Sequence, residues 1–530
     1  MRRRQFIASA GALSAASALL PMPAISQTSR ANTLRFIPHA NLTVLDPVFT
    51  TAGITNEHGY LVFDFLYALD SKLRVRPQMA EGHTVADDGR TWTIKLRPGL
   101  LFHDGTPVRA VDCVASLNRW TVRDPFGQLV GRALDAFEAA DDRTIRVRLK
   151  RPFPRLLNAM SKAVTGPFVM PERIAKIDAG TPITEMVGSG PYRFLKEEYV
   201  SGHRVAYARN DAYAPRNEAA DWLAGGRKGW FERIEWHIIP DPATAAAALK
   251  AGEVDWWEWG LPDLMPILER DPNIRVQVTD QLGLYSILRF NMNVPPFNNA
   301  KLRRAIVEAV DQNDFMLPIS GNDPKGYRTC YAMIPCGLPH STEVGAAFMK
   351  PPRDLAKSRA AVTESGYKGE KVVILNPTDL PSLAPLGQVA ADLLKKLGMN
   401  VELQEMDWGT VVQRRSSTEP VEKGGWSIFP TNGGPLVVGE PALNIYIRGQ
   451  GAKGWVGNYD NPEIERLVEA WLDTSTDEEQ DKVYAAIQKS AFDSPPIVPL
   501  GQYFPKTAYR KDIVGVQDFV LPTPWSTRRI

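Results

Sequence analysis

The stretch that decides the fold reads VRPQMAEGHTVADDGRTWTIKLRPG over residues 75–99. At its centre, Asp87–Arg90 has the composition of a tight turn, because Gly89 accepts a positive φ and aspartate bonds its own backbone. After the turn, apolar residues alternate with polar ones from Trp92 to Leu96, which predicts a strand with one buried face. The stretch therefore predicts a hairpin turn that leads into a strand, with Trp92 in the core.

Outward from this stretch, strand and helix patterns follow one another irregularly. Period-two alternation predicts further strands at 144–149 and 234–238. Apolar residues spaced i, i+3, i+4, i+7 and i+8 predict helices over 302–310 and 464–472. Another helix is predicted over 241–252, with aspartate and proline at its start and glycine at its end.

One segment alternates strand, helix and strand within about thirty residues. An apolar strand pattern at 372–375 is followed by a helical face from Leu386 to Leu397, and a second strand pattern covers 399–403. Such an order is typical of a parallel crossover unit. We therefore expect an α/β protein.

Composition and charge exclude several classes of protein. A chain of 530 residues is too long to fold around one compact core, so two or three domains are expected. Lys and Arg total 62 against 60 Asp and Glu, and removing residues 1–26 leaves 59 against 60. A body this near neutrality argues against a nucleic-acid partner. Because no cysteines and histidines have zinc-site spacing, we expect neither a cofactor nor a metal.

The first 26 residues predict an export signal. An arginine-rich head precedes a short apolar run to Leu20, and small residues precede a cut that we place after Ser26. The segment Arg3–Ile7 resembles a twin-arginine signal, and the alternative is a basic tail or an uncleaved anchor. Since no cysteine lies near the cut and no apolar run of 18 residues follows it, we expect a soluble periplasmic protein that is not a lipoprotein.

Several blocks, beginning with the opening stretch, resemble the extracytoplasmic solute-binding proteins of peptide/nickel-type ABC importers, family 5, which include dipeptide- and oligopeptide-binding proteins. They keep the family's order across nearly the whole mature chain. The further blocks are Leu45–Pro47, Leu101–Val108, Gly188–Phe194, Leu249–Asp255, Phe290–Asn299 and Asn458–Ile464. Most of them are turns and entries to helices or strands, so they report the fold rather than the solute.

The resemblance implies a two-lobed α/β periplasmic-binding-protein fold, type II and cluster C-like, with an inserted subdomain and a hinge between the lobes. The first lobe is expected at 32–57, 186–285 and 501–530, the inserted subdomain at 58–185 and the second lobe at 286–500. In such folds hinge closure traps the ligand between the lobes.

The same resemblance implies a function. We expect the periplasmic component of an ABC importer, a monomer that captures a peptide-like or other small polar or amphipathic solute. Its partners would be the transmembrane permease subunits with their cytoplasmic ATPases. No HExxH, P-loop or GxSxG motif is present, so we do not expect an enzyme. The alternatives are an exported hydrolase with dispersed catalytic residues, and a ligand-binding sensor or chaperone subunit without a transport role.

The resemblance also implies where ligand binds. In relatives, the segment before Leu-Asp-Pro lends a backbone edge, and a tryptophan with an arginine seven residues later lies near the cleft. The block ending at Asp255 ends near the cleft, so Trp257 or Trp259 is expected as a ligand wall. The residues predicted to contact ligand are Asn41, Leu42, Thr43, Trp257, Trp259, Trp408, Arg415, Trp426, Phe429, Thr431 and Asn432.

Phe429 departs from the family. In peptide-binding relatives the position three residues after the tryptophan that Trp426 matches is an aspartate, which pairs with the peptide's α-ammonium. A buried ammonium without a carboxylate costs several kcal/mol. Either another acid such as Asp407 or Glu440 takes over, or the ligand has no such cation and hydrogen-bonds to polar residues such as Thr431.

Cys330 and Cys336 bracket a short loop, and two states stay open for them. They could form a disulfide in an oxidising compartment, with a modest gain because the loop is short, or remain free thiols. Cys113 shares an apolar face with Leu117 and Trp120, so we expect it to be buried and inert.

Overall fold

A computed structural model describes residues 32–530, so the predicted export signal at 1–26 lies outside the described residues. Three sheets carry most of the strands. In chain order the strands are β1 Thr33–Ile37, β2 Tyr67–Leu69, β3 Val75–Pro77, β4 Ala80–Val85, β5 Thr91–Leu96, β6 Leu134–Asp141, β7 Thr144–Leu149, β8 Tyr192–Phe194, β9 Arg204–Arg209, β10 Arg233–His237, β11 Trp256–Trp257, β12 Ile274–Val278, β13 Leu284–Phe290, β14 Tyr327–Arg328, β15 Lys371–Pro377, β16 Asn400–Met406, β17 Ile428–Gly433, β18 Ile497–Tyr503, β19 Lys506–Arg510, β20 Ile513–Val514 and β21 Arg528–Arg529.

The helices begin and end at recognisable signals. Asn461 caps one helix whose first residue is Pro462, where a missing N–H leaves nothing unpaired. Another helix starts after Asp241 and ends at Gly252, which has a φ of 70°. In chain order the helices are α1 Gly53–Val62, α2 Ala110–Arg123, α3 Pro125–Ala133, α4 Leu156–Met160, α5 Glu172–Ala175, α6 Pro242–Ala251, α7 Met265–Glu269, α8 Ala300–Ala309, α9 Gln312–Ile319, α10 Leu355–Glu364, α11 Ala384–Lys396, α12 Trp408–Arg414, α13 Pro435–Val438, α14 Pro462–Leu472 and α15 Asp477–Asp493.

The first sheet has seven strands in the order β12-β19-β11-β1-β10-β9-β8. Strand β1 is parallel to both β10 and β11, and the other pairs are antiparallel. Since β1 and β11 end side by side, with Ile37 opposite Trp257, the residues that follow them leave the sheet at one edge. His39, Asn41, Glu258 and Trp259 all follow these two strands.

The second sheet has six strands in the order β14-β18-β13-β17-β15-β16. Strands β15 and β16 pair in parallel from Lys371 opposite Asn400 to Pro377 opposite Met406, and α11 connects them. This arrangement confirms the predicted crossover unit. Strand β17 is antiparallel to β13, which places Phe429 opposite Arg289.

A third sheet, in the order β4-β5-β7-β6, contains the opening stretch of the sequence analysis. Gly89 has a φ of 66° in the turn between β4 and β5, and Trp92 is buried, as predicted. This sheet is antiparallel throughout. The three sheets suit the expected first lobe, second lobe and inserted subdomain, although the exact division of the chain stays a prediction.

The cysteines are distributed between a bonded pair and one buried thiol. The sulfur atoms of Cys330 and Cys336 are bonded to each other, and their Cα atoms are 5.8 Å apart. The thiol of Cys113 is buried, and burial raises its pKa, as expected for an inert core cysteine. Across residues 32–530, every helix is too short or too polar to cross a membrane.

Candidate functional site

A cavity of about 430 Å³ lies between two distant parts of the chain. One wall comes from residues 69–163 and the other from residues 338–484, so the cavity separates the predicted inserted subdomain from the predicted second lobe. Its size falls within the range of small-molecule sites. The eleven predicted contact residues are not among its lining residues, whereas Glu440 is.

The cavity wall carries charges of both signs. The guanidinium carbon of Arg155 lies 5.0 Å from the Trp471 ring centroid, and Arg155 donates a 2.7 Å hydrogen bond to Thr474 Oγ1. Burial lowers the pKa of Arg155. Burial also raises the pKa of Glu440, an effect that the nearby charges of Arg155 and Lys162 oppose. The cavity can therefore accept a solute with polar groups of either sign.

Arg415 lies in an aromatic cage formed by Trp408, Phe429 and Trp455. The guanidinium carbon is 5.2, 5.3 and 5.9 Å from the three ring centroids. Trp408 is the first residue of α12, Arg415 directly follows its last residue, and β17 supplies Phe429. Burial lowers the pKa of Arg415, with only Tyr446 acting electrostatically against that shift. In the described residues no carboxylate pairs with this guanidinium.

Trp455 is contacted by a second cation, Arg289. The guanidinium carbon of Arg289 lies 4.9 Å from the Trp455 centroid, and its nitrogens donate 2.8 Å hydrogen bonds to the carbonyls of Tyr446 and Val456. Burial lowers the pKa of Arg289 to about 9. Because these bonds go to neutral carbonyls, the region around the cage keeps a net positive charge.

Trp426 lies behind the cage rather than on its surface. The side chain is fully buried, its indole N–H donates to the Ser417 carbonyl at 3.2 Å, and its ring meets Phe429 edge-on at 5.2 Å. Phe429 is also fully buried. The structure therefore places Trp426 in the packing that supports Phe429, and its predicted contact with ligand stays a prediction.

The polar residues of β17, Thr431 and Asn432, lie inside the second sheet. Thr431 is buried and stands opposite Ile287 in the second sheet. Asn432 is half-buried, and its amide donates to Ser382 Oγ at 3.4 Å. Asp407, one substitute considered for the missing aspartate, is exposed and caps α12 by accepting the N–H of Thr410 at 3.0 Å.

In the first sheet, the segment after β1 is tied to a neighbouring turn. Asn41 donates to Ser201 Oγ at 3.3 Å and accepts from the Gly202 N–H at 2.8 Å. Leu42 is buried, and its carbonyl accepts a 2.6 Å bond from Tyr199. Thr43 is exposed. Of the three, Thr43 offers the freest side chain.

The two tryptophans after Asp255 have different surroundings. Trp257 is buried in a small apolar cluster with Leu249 and Ala508. Trp259 is 39 % exposed and stacks on His39, with ring centroids 4.4 Å apart. Trp259 is therefore the member of the pair that an outside molecule can reach.

Sequence reasoning missed Tyr446, Trp455 and His39. Trp455 and Tyr446 are 40 and 31 residues from Arg415 in the chain, and no motif marks either of them. Their ring centroids are 5.1 Å apart in the folded protein. The only available signal was a Trp in a glycine-rich loop, which fits a surface turn equally well.

Comparisons with known proteins agree with this architecture. Among solved structures, the periplasmic binding protein AgaA from A. tumefaciens R10 in complex with agropinic acid matches with a TM-score of 0.79 and 19% identity, covering 94% of this chain and 99% of that chain. The murein tripeptide binding protein MppA from Escherichia coli matches with a TM-score of 0.77 and 18% identity, covering 95% and 99%. The fold is thus that of a two-lobed α/β binding protein, as expected.

Sequence relatives narrow the assignment. The family model for bacterial extracellular solute-binding proteins, family 5 (Middle), matches residues 74–451. The chain is 37% identical over 525 residues to a probable peptide ABC transporter periplasmic-binding protein, y4tO, of Sinorhizobium fredii, with 97% of each covered. It is 25% identical to the glutathione-binding protein GsiB of Escherichia coli K12, with 90% of each covered. The chain therefore belongs to family 5 of the bacterial extracellular solute-binding proteins, which serve ABC importers.

Proposed function

We propose that the protein captures a small amphipathic, peptide-like solute that carries a carboxylate, and that Arg415 binds this carboxylate. The observation that carries the proposal is the guanidinium in the aromatic cage, which has no acidic partner in residues 32–530. A partly buried guanidinium favours a bidentate carboxylate, and the surrounding rings offer apolar walls. Trp408 and Trp455, which are both half-buried, supply the accessible rings.

The relatives support a peptide-like solute. One relative is described as a peptide transporter component and another as a glutathione-binding protein. Phe429 supplies no charge for an α-ammonium, and Asp407 is engaged as a helix cap. We therefore propose that the solute's carboxylate contributes more to affinity than its amino group. Asn41, Leu42, Thr43, Trp257, Trp259, Trp426, Phe429, Thr431 and Asn432 stay proposed contacts or supports of the same site.

We further propose that the solute is bound and passed on unaltered. The relatives are described as binding proteins, which supports a role without catalysis. The cavity between the predicted inserted subdomain and the predicted second lobe supports a hinge closure of these two parts around a small solute. An exported hydrolase would convert solute to product, and a sensor or chaperone subunit would bind it without affecting uptake.

Export and partners follow from the same proposal. Family members act outside the cytoplasm, and we propose that residues 1–26 direct the protein to the periplasm by the twin-arginine route, with cleavage after Ser26 and no lipid anchor. The protein would act as a monomer on a pair of permease subunits. The lobes would comprise 32–57, 186–285 and 501–530, and 286–500, with 58–185 inserted.

A matched pair of peptide modifications tests this function. Binding of di- to tetrapeptides is measured by calorimetry for the free, C-amidated and N-acetylated form of each sequence. We expect C-amidation to weaken binding by about tenfold or more, because an ionic hydrogen bond of about 1.5–3 kcal/mol is lost. If amidated and free peptides bind equally well, or if the protein hydrolyses them, the proposal is wrong.

A further inference from the structure

His39, Glu57 and Glu258 meet at the edge of the first sheet, and we call them the His39 cluster. His39 follows β1, Glu57 lies in α1, and Glu258 follows β11, so three separate elements contribute. The backbone N–H of Glu258 donates to the Ile37 carbonyl at 3.0 Å, which fixes one strand end against the other. Glu258 lies in the sequence between Trp257 and Trp259, the two tryptophans that the resemblance indicated as ligand walls.

One ring nitrogen faces both carboxylates. His39 Nδ1 lies 2.9 Å from Glu258 Oε2 and 3.1 Å from Glu57 Oε1. The backbone N–H of His39 also donates to Glu258 Oε2 at 2.7 Å. Within residues 32–530, both carboxylate oxygens of Glu57 are buried without a hydrogen-bond donor. Because Nδ1 carries at most one proton, it cannot satisfy both carboxylates.

Burial raises the free-energy cost of leaving two carboxylates with a single imidazole between them. The Glu57 and Glu258 side chains are 3% and 4% exposed, and that of His39 is 13% exposed. Two adjacent carboxylates removed from water repel each other unless a cation lies between them or one of them takes up a proton. A small ion suits such a confined position better than an organic ammonium group, which needs more room and three hydrogen-bond acceptors.

We propose that His39, Glu57 and Glu258 bind one divalent transition-metal ion of the zinc class. Their ligand atoms all lie within 4.8 Å of one another. The separations of 2.9 and 3.1 Å between His39 Nδ1 and the two carboxylate oxygens are short enough for one ion with bonds of about 2.0–2.2 Å to contact all three groups. One imidazole and two carboxylates form a donor set that zinc accepts, with a fourth position left for water. The stacked Trp259 ring holds the imidazole in its orientation.

The ion would join α1 to the ends of β1 and β11. It would fix the start of the segment that includes Asn41, two residues after His39. The segment and the stacked Trp259 are also proposed solute contacts, so the metal titration is done without solute, and its failure is distinguishable from a failure of carboxylate binding by Arg415.

The test titrates Zn²⁺ and Co²⁺ alone into EDTA-treated protein, followed by calorimetry and by the visible absorption of bound Co²⁺. We expect one ion per chain and a higher melting temperature with Zn²⁺. Loss of an outer-shell partner weakens metal binding by about 10- to 100-fold. His39→Gln and Glu57→Gln each remove a direct ligand, so each is expected to weaken Zn²⁺ binding by more than that. Circular dichroism checks that both variants fold.

His340→Gln is the matched control. His340 also faces two carboxylates, with Nδ1 2.8 Å from Asp481 and Nε2 3.7 Å from Asp477, but both acids are exposed. Its affinity for Zn²⁺ should equal that of the parent protein. The proposal is overturned if the parent protein binds no stoichiometric Zn²⁺ or Co²⁺, if His39→Gln retains parental affinity, or if the control loses as much as the cluster variants.

Discussion

Two charged regions of the molecule have opposite deficits. In the aromatic cage of the second sheet, Arg415 contacts three rings and has no acid beside it within the described chain. In the His39 cluster of the first sheet, two buried carboxylates share a single ring nitrogen. The first region has a cation without an anion, and the second has two carboxylates for one imidazole.

The difference shows that the two regions suit different kinds of ligand. Arg415 is half-buried beside the half-buried Trp408, so a solute can reach it. The carboxylates of the His39 cluster are almost fully buried, so an ion suits them better than a solute. We infer that solute recognition depends on the cage, whereas the His39 cluster fixes the edge of the first sheet.

The largest expected effect separates the two tryptophans of the cage region. Trp426→Ala should lower the free energy of unfolding by about 3–5 kcal/mol, because it removes a fully buried ring behind Phe429. Trp408→Ala should cost much less stability, because its ring is half-buried. Urea unfolding of both variants measures the difference, and equal losses would contradict the assignment of Trp426 to the support of the cage.

Arg415 and its neighbour provide the next comparison. Arg415→Met should weaken binding of a free-carboxylate peptide by about tenfold or more, because the cage loses its charge. Arg414→Met is the matched control, since Arg414 bonds Gln404 and the Gly424 carbonyl instead of joining the cage. Calorimetry on both variants decides, and similar losses would show that the effect is not specific to the cage.

A smaller effect follows from His103, a buried histidine that stays neutral. Burial lowers the pKa of His103 to about 4, and its Nδ1 accepts the N–H of Gly188 at 3.4 Å. The pKa of His103 is lower in the folded protein than in the unfolded chain, so its neutral form stabilises the fold. This contribution to the free energy of unfolding is fully present above about pH 6.5 and is lost as the pH falls toward 4.

The contribution of His103 should reach at most about 1.4 kcal/mol per pH unit within that window. Urea unfolding at several pH values measures the slope, and His103→Gln should make it shallower. An unchanged slope in this variant would show that His103 does not titrate as its surroundings indicate.

The smallest expected effect concerns the amino end of the solute. N-acetylation of a bound peptide should change its affinity less than about threefold, well under 1.4 kcal/mol, because Phe429 offers no carboxylate there. Calorimetry with acetylated and free peptides measures it. A loss of tenfold or more would mean that another acid, such as Glu440 in the cavity wall, takes the ammonium.

Local rules predicted much of the fold. Gly89 marks its turn because few other residues accept a positive φ, and the strand, helix and strand from Lys371 to Met406 follow the expected order. Asn461 and Pro462 likewise mark a helix start through chemistry confined to a few residues. Patterns of this kind are visible because each depends on neighbours in the chain.

The candidate site was less predictable because its parts are distant in sequence. Glu258 and His39 are 219 residues apart, and only the pairing of β1 with β11 brings them together. Trp455 reaches Arg415 from a loop that carries no motif. A resemblance to relatives indicated Trp408 and Arg415, but it could not report which ring faces outward or which charge lacks a partner.

The most direct measurement of the central claim is mass spectrometry of a bound free-carboxylate peptide recovered from the parent protein and from Arg415→Met. We predict one peptide per parent chain, recovered with its mass unchanged, and almost none on the variant after the same dialysis. Recovery of cleaved peptide, or equal retention by both proteins, would contradict the account.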